Sequence, residues 1–192
     1  MTDTGDRKDA ILKAMLDLIV EQGLHNAPMS LLAKRSGASP GVIYHYFPSK
    51  EKLIHALYSR VASQKRDALL AGYSDQMPPR EGFLHIWLNS YHFYRTHLKE
   101  TRFLDQYLNS PYCNAGSPDD PKRTDPATDR ILRLMRPKKK GGVLKDLPPE
   151  AINCLSLGLA ASLAKAPKTF SAATLKNIAD TVWAAISHRG LH

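Results

Sequence analysis

The 192-residue chain is poor in the features that mark secreted, membrane or redox proteins. It has two cysteines, Cys113 and Cys154. They lie too far apart for a CxxC metal knuckle and are too few for a multi-bridge scaffold, so a reducing cytoplasm is expected. No uninterrupted apolar run approaches the roughly 20 residues that cross a bilayer, and the opening MTDTGDRKDA is too polar for a signal peptide, so no membrane role is expected. Alternating β patterns are scarce, and no repeat with a period of roughly 20–50 residues is visible, which argues against a solenoid. Also missing are a GxSxG elbow, an HExxH pair, a phosphate-cradling glycine loop and paired acids at a plausible site. No catalytic residue, metal ligand or cofactor is therefore assigned.

What is present is ordinary globular material, 43% apolar and 23% charged, with an excess of positive charge. The 27 Lys and Arg against 18 Asp and Glu give a net charge of +9, which suggests a polyanionic partner. That charge is concentrated. Between Lys34 and Arg66 the basic residues Lys34, Arg35, Lys50, Lys52, Arg60, Lys65 and Arg66 face a single acid, Glu51.

The apolar periodicity is helical throughout. Residues 7–22 carry Ile11, Leu12, Met15, Leu16, Leu18 and Ile19 on one stripe, with Asp6 and Asp9 resembling a capping arrangement at the start and Gly23 suited to the end. Two short patterns follow, Met29, Leu32 and Ala33, then Val42, Ile43, Tyr46 and Phe47, separated by a segment containing Gly37. Ser39 is a good N-cap, Pro40 suits the first helical position and Pro48 stops the helix. Ser49 opens a longer helix, with Glu51 in its first turn, expected to run to about Gly72.

Two short helices joined at a glycine meet at a steep angle, which lets the second enter the major groove of DNA. Ile43 and Phe47 must face the first helix. That leaves Ser39, Pro40, Gly41, Tyr44 and His45 near an exposed N-terminal end. Gly41 permits close approach, and the phenol of Tyr44 and imidazole of His45 can bond to phosphates or base edges. Tyr46 suits either phosphate contact or packing, and Lys50 is placed to offer its ammonium to a phosphate.

The run Gly23, Leu32, Ala33, Ser36, Gly37, Ser39, Gly41, Ile43, Tyr44, Phe47, Ser49, Lys50, Glu51 and Leu53 resembles the DNA-binding domain of the tetracycline-repressor (TetR) family of bacterial transcriptional regulators. The later GGVLKDLPPEA, followed by two apolar helices, is similar to the entry of some members into their dimerising helices. The resemblance implies a homodimer on a palindromic double-stranded DNA operator, an all-helical C-terminal domain with an inducer pocket, and release from DNA when a small-molecule effector binds. Two features depart from the family pattern. Pro28 stands where the family usually offers a capping Thr, and Pro137 with Lys138–Gly142 interrupts a helix that often continues in relatives.

The expected architecture is all-α, an N-terminal three-helix helix-turn-helix domain at 1–52 followed by a helical effector-binding and dimerisation domain at 53–192. In the latter, Phe83, Trp87, Tyr91, Tyr94, Phe103 and Tyr107 form an aromatic stripe. Trp87, Tyr91, Tyr94, Phe103 and Tyr107 are candidates for lining an effector pocket, with core packing the alternative for each. A long loop is expected over 111–126 and a basic flexible link at Lys138–Gly142. His85, His92 and His97 lack the spacing and acidic partners of a metal site. The last two helices carry more apolar residues than one face needs, so Leu155, Leu159, Leu163, Leu175, Ile178, Val182 and Ile186 are candidates for pairing with a second subunit. Two other functions remain open from the residues alone: a small helical enzyme using a cysteine or histidine, and a non-specific DNA-binding protein.

Overall fold

A computed structural model describes residues 3–114 and 126–188, and among these every extended element is helical; only the isolated bridges Pro137–Leu144 and Leu144–Ser187 are β-like. Most of the loop expected over 111–126 lies outside the described residues. Within them, Pro111–Asn114 is already a helical turn and Pro126 opens a helix.

The polypeptide divides into two compact units, Met1–Ser63 with His97–Asp120, and Gln64–Thr96 with Pro121–His192. This differs from a linear division between residues 52 and 53. The helix α4 (Lys50–Leu70) runs unbroken through that point, and a later helix returns to the first unit.

The first unit is built on α1 (Asp3–Gln22), α2 (Met29–Ser36) and α3 (Pro40–Tyr46), followed by the start of α4. Helix α1 begins about one turn earlier than its apolar stripe, so Asp6 lies inside the helix and not at its cap. Its end is as expected: Gly23 adopts φ +88° and donates its N–H to Ile19 O at 2.9 Å. The stripe of α1 is buried, with Ile11, Met15, Leu18 and Ile19 fully enclosed. Against it pack α2 and α6 (Leu98–Leu108), the latter leading into the short α7 (Pro111–Asn114).

The second unit centres on α5 (Pro79–Thr96), which packs against α8 (Pro126–Leu134), α10 (Leu159–Lys165) and α11 (Ala172–Ile186). Phe83 of α5 meets Trp183 of α11 with ring centroids 5.3 Å apart. The helix from Pro149 is not uniform: α9 (Pro149–Asn153) passes into a π-helical stretch, Cys154–Gly158, before α10. Three ideal α turns span about 11 residues. Here Ile152, Ser156, Ala160 and Ala164 face the core in steps of four, because the wider π turn delays the phase by about one residue. The expected face of Ile152, Leu155, Leu159 and Leu163 is thereby split. Ile152 stays buried, Leu155 is 47% exposed, and Leu159 and Leu163 are half-buried.

Lys138–Gly142 is ordered, contrary to a flexible link. Lys138–Lys140 forms a 3-10 turn closed by Gly141 at φ +75°. Lys138 N–H donates to Leu144 O at 2.8 Å and Leu144 N–H to Arg136 O at 3.2 Å, while His188 N–H reaches Val143 O at 2.9 Å. Buried Leu144 thus ties this basic turn to the end of α11.

Candidate nucleic-acid interface

The α2–turn–α3 motif is held by local chemistry. Ser36 Oγ donates to Leu32 O at 2.8 Å, Gly37 turns the chain at φ +67°, and Ser39 Oγ accepts from Val42 N–H at 3.3 Å to cap α3. Pro40 fills the first helical position, where no N–H is needed. At the head of α2, Pro28 supplies no side-chain cap, but its carbonyl still accepts from Leu32 N–H at 3.1 Å. Ser49 Oγ accepts from Lys52 N–H at 3.1 Å and so opens α4.

Ile43 is fully buried and Phe47 nearly so, which fixes the rotation of α3. The opposite side is outward: Ser39, Pro40, Gly41, Tyr44 and His45 are all exposed, Tyr44 to 48%. A Cβ on Gly41 would meet nothing nearer than Ser39 Oγ at 4.0 Å, so the surface there is open to close approach by another molecule. Tyr46 is half-buried, its ring edge-on to His45 with centroids 5.5 Å apart.

Lys50 departs from the expected free ammonium. Its Nζ donates to His25 O at 3.2 Å across the α1–α2 loop, and desolvation there lowers its pKa below the ordinary lysine range. Elsewhere in the unit, Arg35 of α2 pairs with Glu21 of α1 at 2.6 Å.

One group of residues escaped the sequence reading. A notch of about 330 Å³ at the start of α1 brings Asp6, Arg7 and Ala10 against Ser36–Ser39 and Val42. Arg7 therefore stands beside the turn that presents α3. Nothing local in the sequence signals this, because the contact depends on how α1 crosses α2.

The remaining candidates scatter. Trp87, Tyr91 and Tyr94 are buried in the second unit, and Phe103 and Tyr107 are buried in the first. Trp87 Nε1 donates to Ser156 O at 3.1 Å, and Tyr94 OH accepts from Lys65 Nζ at 2.5 Å. Tyr107 stacks on Tyr58 at 4.2 Å between centroids, and its hydroxyl lies 3.0 Å from His55 Nδ1. Tyr91 OH and Ser90 Oγ are buried with no hydrogen-bond partner among the described residues. Of the dimerisation candidates, Leu175, Val182 and Ile186 are buried within their own chain and are core residues, not surface for a partner; Ile178, Leu159 and Leu163 are half-buried, and Leu155 is exposed. His85 Nε2 lies 2.6 Å from Ala71 O at the end of α4. Among the described residues, no three His, Cys, Asp or Glu are grouped as metal ligands, and no helix is long and apolar enough to cross a membrane.

Comparison with known proteins bears on both halves. Residues 11–57 match the family described as bacterial regulatory proteins, tetR family, and residues 78–187 match the tetracyclin repressor-like C-terminal domain. The HTH-type transcriptional regulator BetI of Klebsiella pneumoniae is 42% identical over 64 residues, 33% of each chain, so the match spans about a third of the length of such curated relatives. A TetR-family regulator from Vibrio parahaemolyticus has 27% identity and TM-score 0.79, with 95% of this chain and 100% of that one covered. The TetR-family regulator HI0893 from Haemophilus influenzae has 25% identity and TM-score 0.79, covering 98% and 100%. With a capped helix-turn-helix at one end and a matching C-terminal domain over more than half its length, the chain belongs to the TetR family of bacterial transcriptional regulators, DNA-binding proteins and not enzymes.

Proposed function

We propose that the protein is a homodimeric cytoplasmic repressor that reads a palindromic operator with α3 and leaves it when a small-molecule effector binds. The observation that carries this reading is the outward display of Tyr44 and His45 above buried Ile43 and Phe47. In it, Ser39, Pro40, Gly41, Tyr44 and His45 enter the major groove, while Tyr46 and Lys50 approach phosphates. Two such helices address half-sites about 34–36 Å apart, or a multiple of that. Residues 1–52 form the DNA-reading part and 53–192 the effector-binding and dimerising part.

Two observations support the other elements. A buried hydroxyl with no partner costs about 1–3 kcal/mol. Ser90 and Tyr91 carry two such groups on α5, alongside Trp87 and Tyr94, which favours a polar ligand contact there. Phe103 and Tyr107, engaged in the first unit, are the weaker members of that pocket set. For the dimer, Leu155, Leu159, Leu163 and Ile178 leave an apolar surface on the two final helices that a second copy would cover.

The test is fluorescence anisotropy on DNA flanking the coding region, across a salt series. His45→Ala is expected to blunt discrimination between a palindrome and a scrambled duplex. Lys50→Ala is expected to weaken all duplexes alike and lower the salt slope by about 1. That second result requires the ammonium to leave His25 O for a phosphate. Equal affinity of the unmodified protein for upstream and random DNA at moderate salt would favour a non-specific binder instead.

A further inference from the structure

A cavity of about 370 Å³ opens in the second unit between the end of α8 and the start of the helix at Pro149. Neither Trp87, Tyr91 nor Tyr94 lines it, so it is separate from the effector region proposed above and does not rest on that reading. Its size falls in the range of about 300–1,000 Å³ common to small-molecule sites. Apolar surface comes from Ile131 and Met135 on one side and Ile152 and Leu157 on the other.

The frame is stiff on both sides. Pro137 and Lys140 sit in the tied basic turn, where Gly142 N–H donates to Pro137 O at 3.0 Å and Lys140 N–H donates to the same oxygen at 3.0 Å. The opposite wall includes Ser156 and Leu157 of the π-helical stretch, a form that recurs at functional sites. The Trp87 indole holds the Ser156 carbonyl in place at 3.1 Å. The pocket is therefore preformed and does not depend on a loose segment closing over it.

Charge selects the ligand. Asp129, the acid at the rim, is already neutralised: Arg133 Nε meets its Oδ2 at 3.1 Å and Arg136 Nη2 its Oδ1 at 3.2 Å. Among the described residues lining the cavity, a cationic ligand thus finds no free carboxylate to receive it. Lys140 stands exposed at the same rim and makes no ion pair among the described residues, and Arg136 retains N–H donors beyond the one turned to Asp129. We propose that this cavity binds a small amphipathic monocarboxylate, its hydrocarbon part against Ile131, Met135, Ile152 and Leu157 and its carboxylate at Lys140 and Arg136.

Octanoate is the probe, titrated into full-length protein carrying 13C-labelled Ile, Leu and Met methyls, with octanol and octylamine in parallel. Saturable shifts confined to the methyls of Ile131, Met135, Ile152 and Leu157 are expected. Lys140→Glu, at an exposed position that leaves the fold intact, is expected to weaken octanoate by about fivefold while leaving octanol unchanged. Absence of saturable binding overturns the proposal, as does an octanoate affinity indifferent to Lys140→Glu. Shifts appearing instead at Leu84 and Ile86 of α5 overturn it while favouring the effector reading. Concentration-dependent shifts at the cavity methyls without any probe assign the surface to a second copy and also overturn it.

Discussion

Gln106 caps α1 from 82 residues away, its Oε1 accepting the backbone N–H of Leu24 at 2.8 Å. The same amide turns its Nε2 to Ile19 O at 3.3 Å, a carbonyl that also accepts from Gly23 N–H, so one side chain of α6 serves both a donor and an acceptor where α1 ends. Glycine at position 23 fits this arrangement, since φ +88° brings the chain round and the site of its missing Cβ lies 3.7 Å from Gln106 Oε1. A second tie, Lys99 Nζ to Asp17 Oδ1 at 2.5 Å, fastens α6 to α1 further along. The helix-turn-helix is thus braced by a segment from the middle of the chain.

Replacing Gln106 with Ala leaves Leu24 N–H and the end of α1 without that partner in a part-buried place. The expected cost is about 1–3 kcal/mol. Urea unfolding should show it as a lowered midpoint with an unchanged slope. An unaltered midpoint would mean that water replaces the amide without loss.

Glu21 and Arg35 give the first unit a pH-dependent strap. The hydrogen bond from the Arg35 guanidinium, 2.6 Å away, holds the Glu21 carboxyl below its ordinary 4.5 despite an opposing desolvation. Because the folded-state pKa is depressed, the stabilisation is present above about pH 4.5 and is lost as pH falls through the folded value. Arg35→Ala should therefore lower stability at neutral pH and converge with the unmodified protein in acid. Carboxyl NMR should show Glu21 titrating higher in the variant; an unmoved midpoint would refute the assignment.

The proposed dimer surface separates from the core by exposure. Leu155→Glu with Leu159→Glu places charge on an outward face and is expected to give monomers in sedimentation experiments with helical content retained. Leu175→Ala instead removes a buried side chain, and a destabilisation of about 2–5 kcal/mol is expected. Should the double variant remain dimeric, the twofold contact lies elsewhere.

The contrast between these leucines also shows where sequence was informative. The α2–turn–α3 motif was legible because its determinants are local: Ser39 caps, Pro40 starts, Gly37 turns, and Ile43 with Phe47 fixes the buried side. The helix from Pro149 was not. Leucines every three or four residues look like the core face, yet a π turn rephases the helix and small side chains at Ser156, Ala160 and Ala164 face inward. Ala160 and Ala164 belong to α10, which lies against α5, whose Phe83 and Trp87 already fill the core. The contact Lys50 makes within the chain was hidden for a related reason. Its partner, the carbonyl of His25, lies 25 positions away, and no charge pattern points to it. The six aromatic residues from Phe83 to Tyr107 read as one stripe because periodicity cannot tell which unit each will join.

The basic turn at Lys138–Gly142 had the composition of a flexible link, and its order comes from one close backbone approach. A Cβ at Gly142 would lie 1.9 Å from Arg136 O, the carbonyl that accepts Leu144 N–H. Glycine is needed there for space, since its φ is not in the left-handed region, where Gly141 next to it sits at +75°. Gly142→Ala must push Arg136 O away and so break the Leu144 bond, and with it the bridges from Leu144 to Pro137 and Ser187. Hydrogen exchange at Leu144 and Lys138 should accelerate strongly, while amides of α1 and α3 stay protected. Gly141→Ala strains only a left-handed turn with open space around it, so a smaller effect of about 1 kcal/mol is expected. If the two variants behave alike, backbone conformation and not the contact with Arg136 governs this turn.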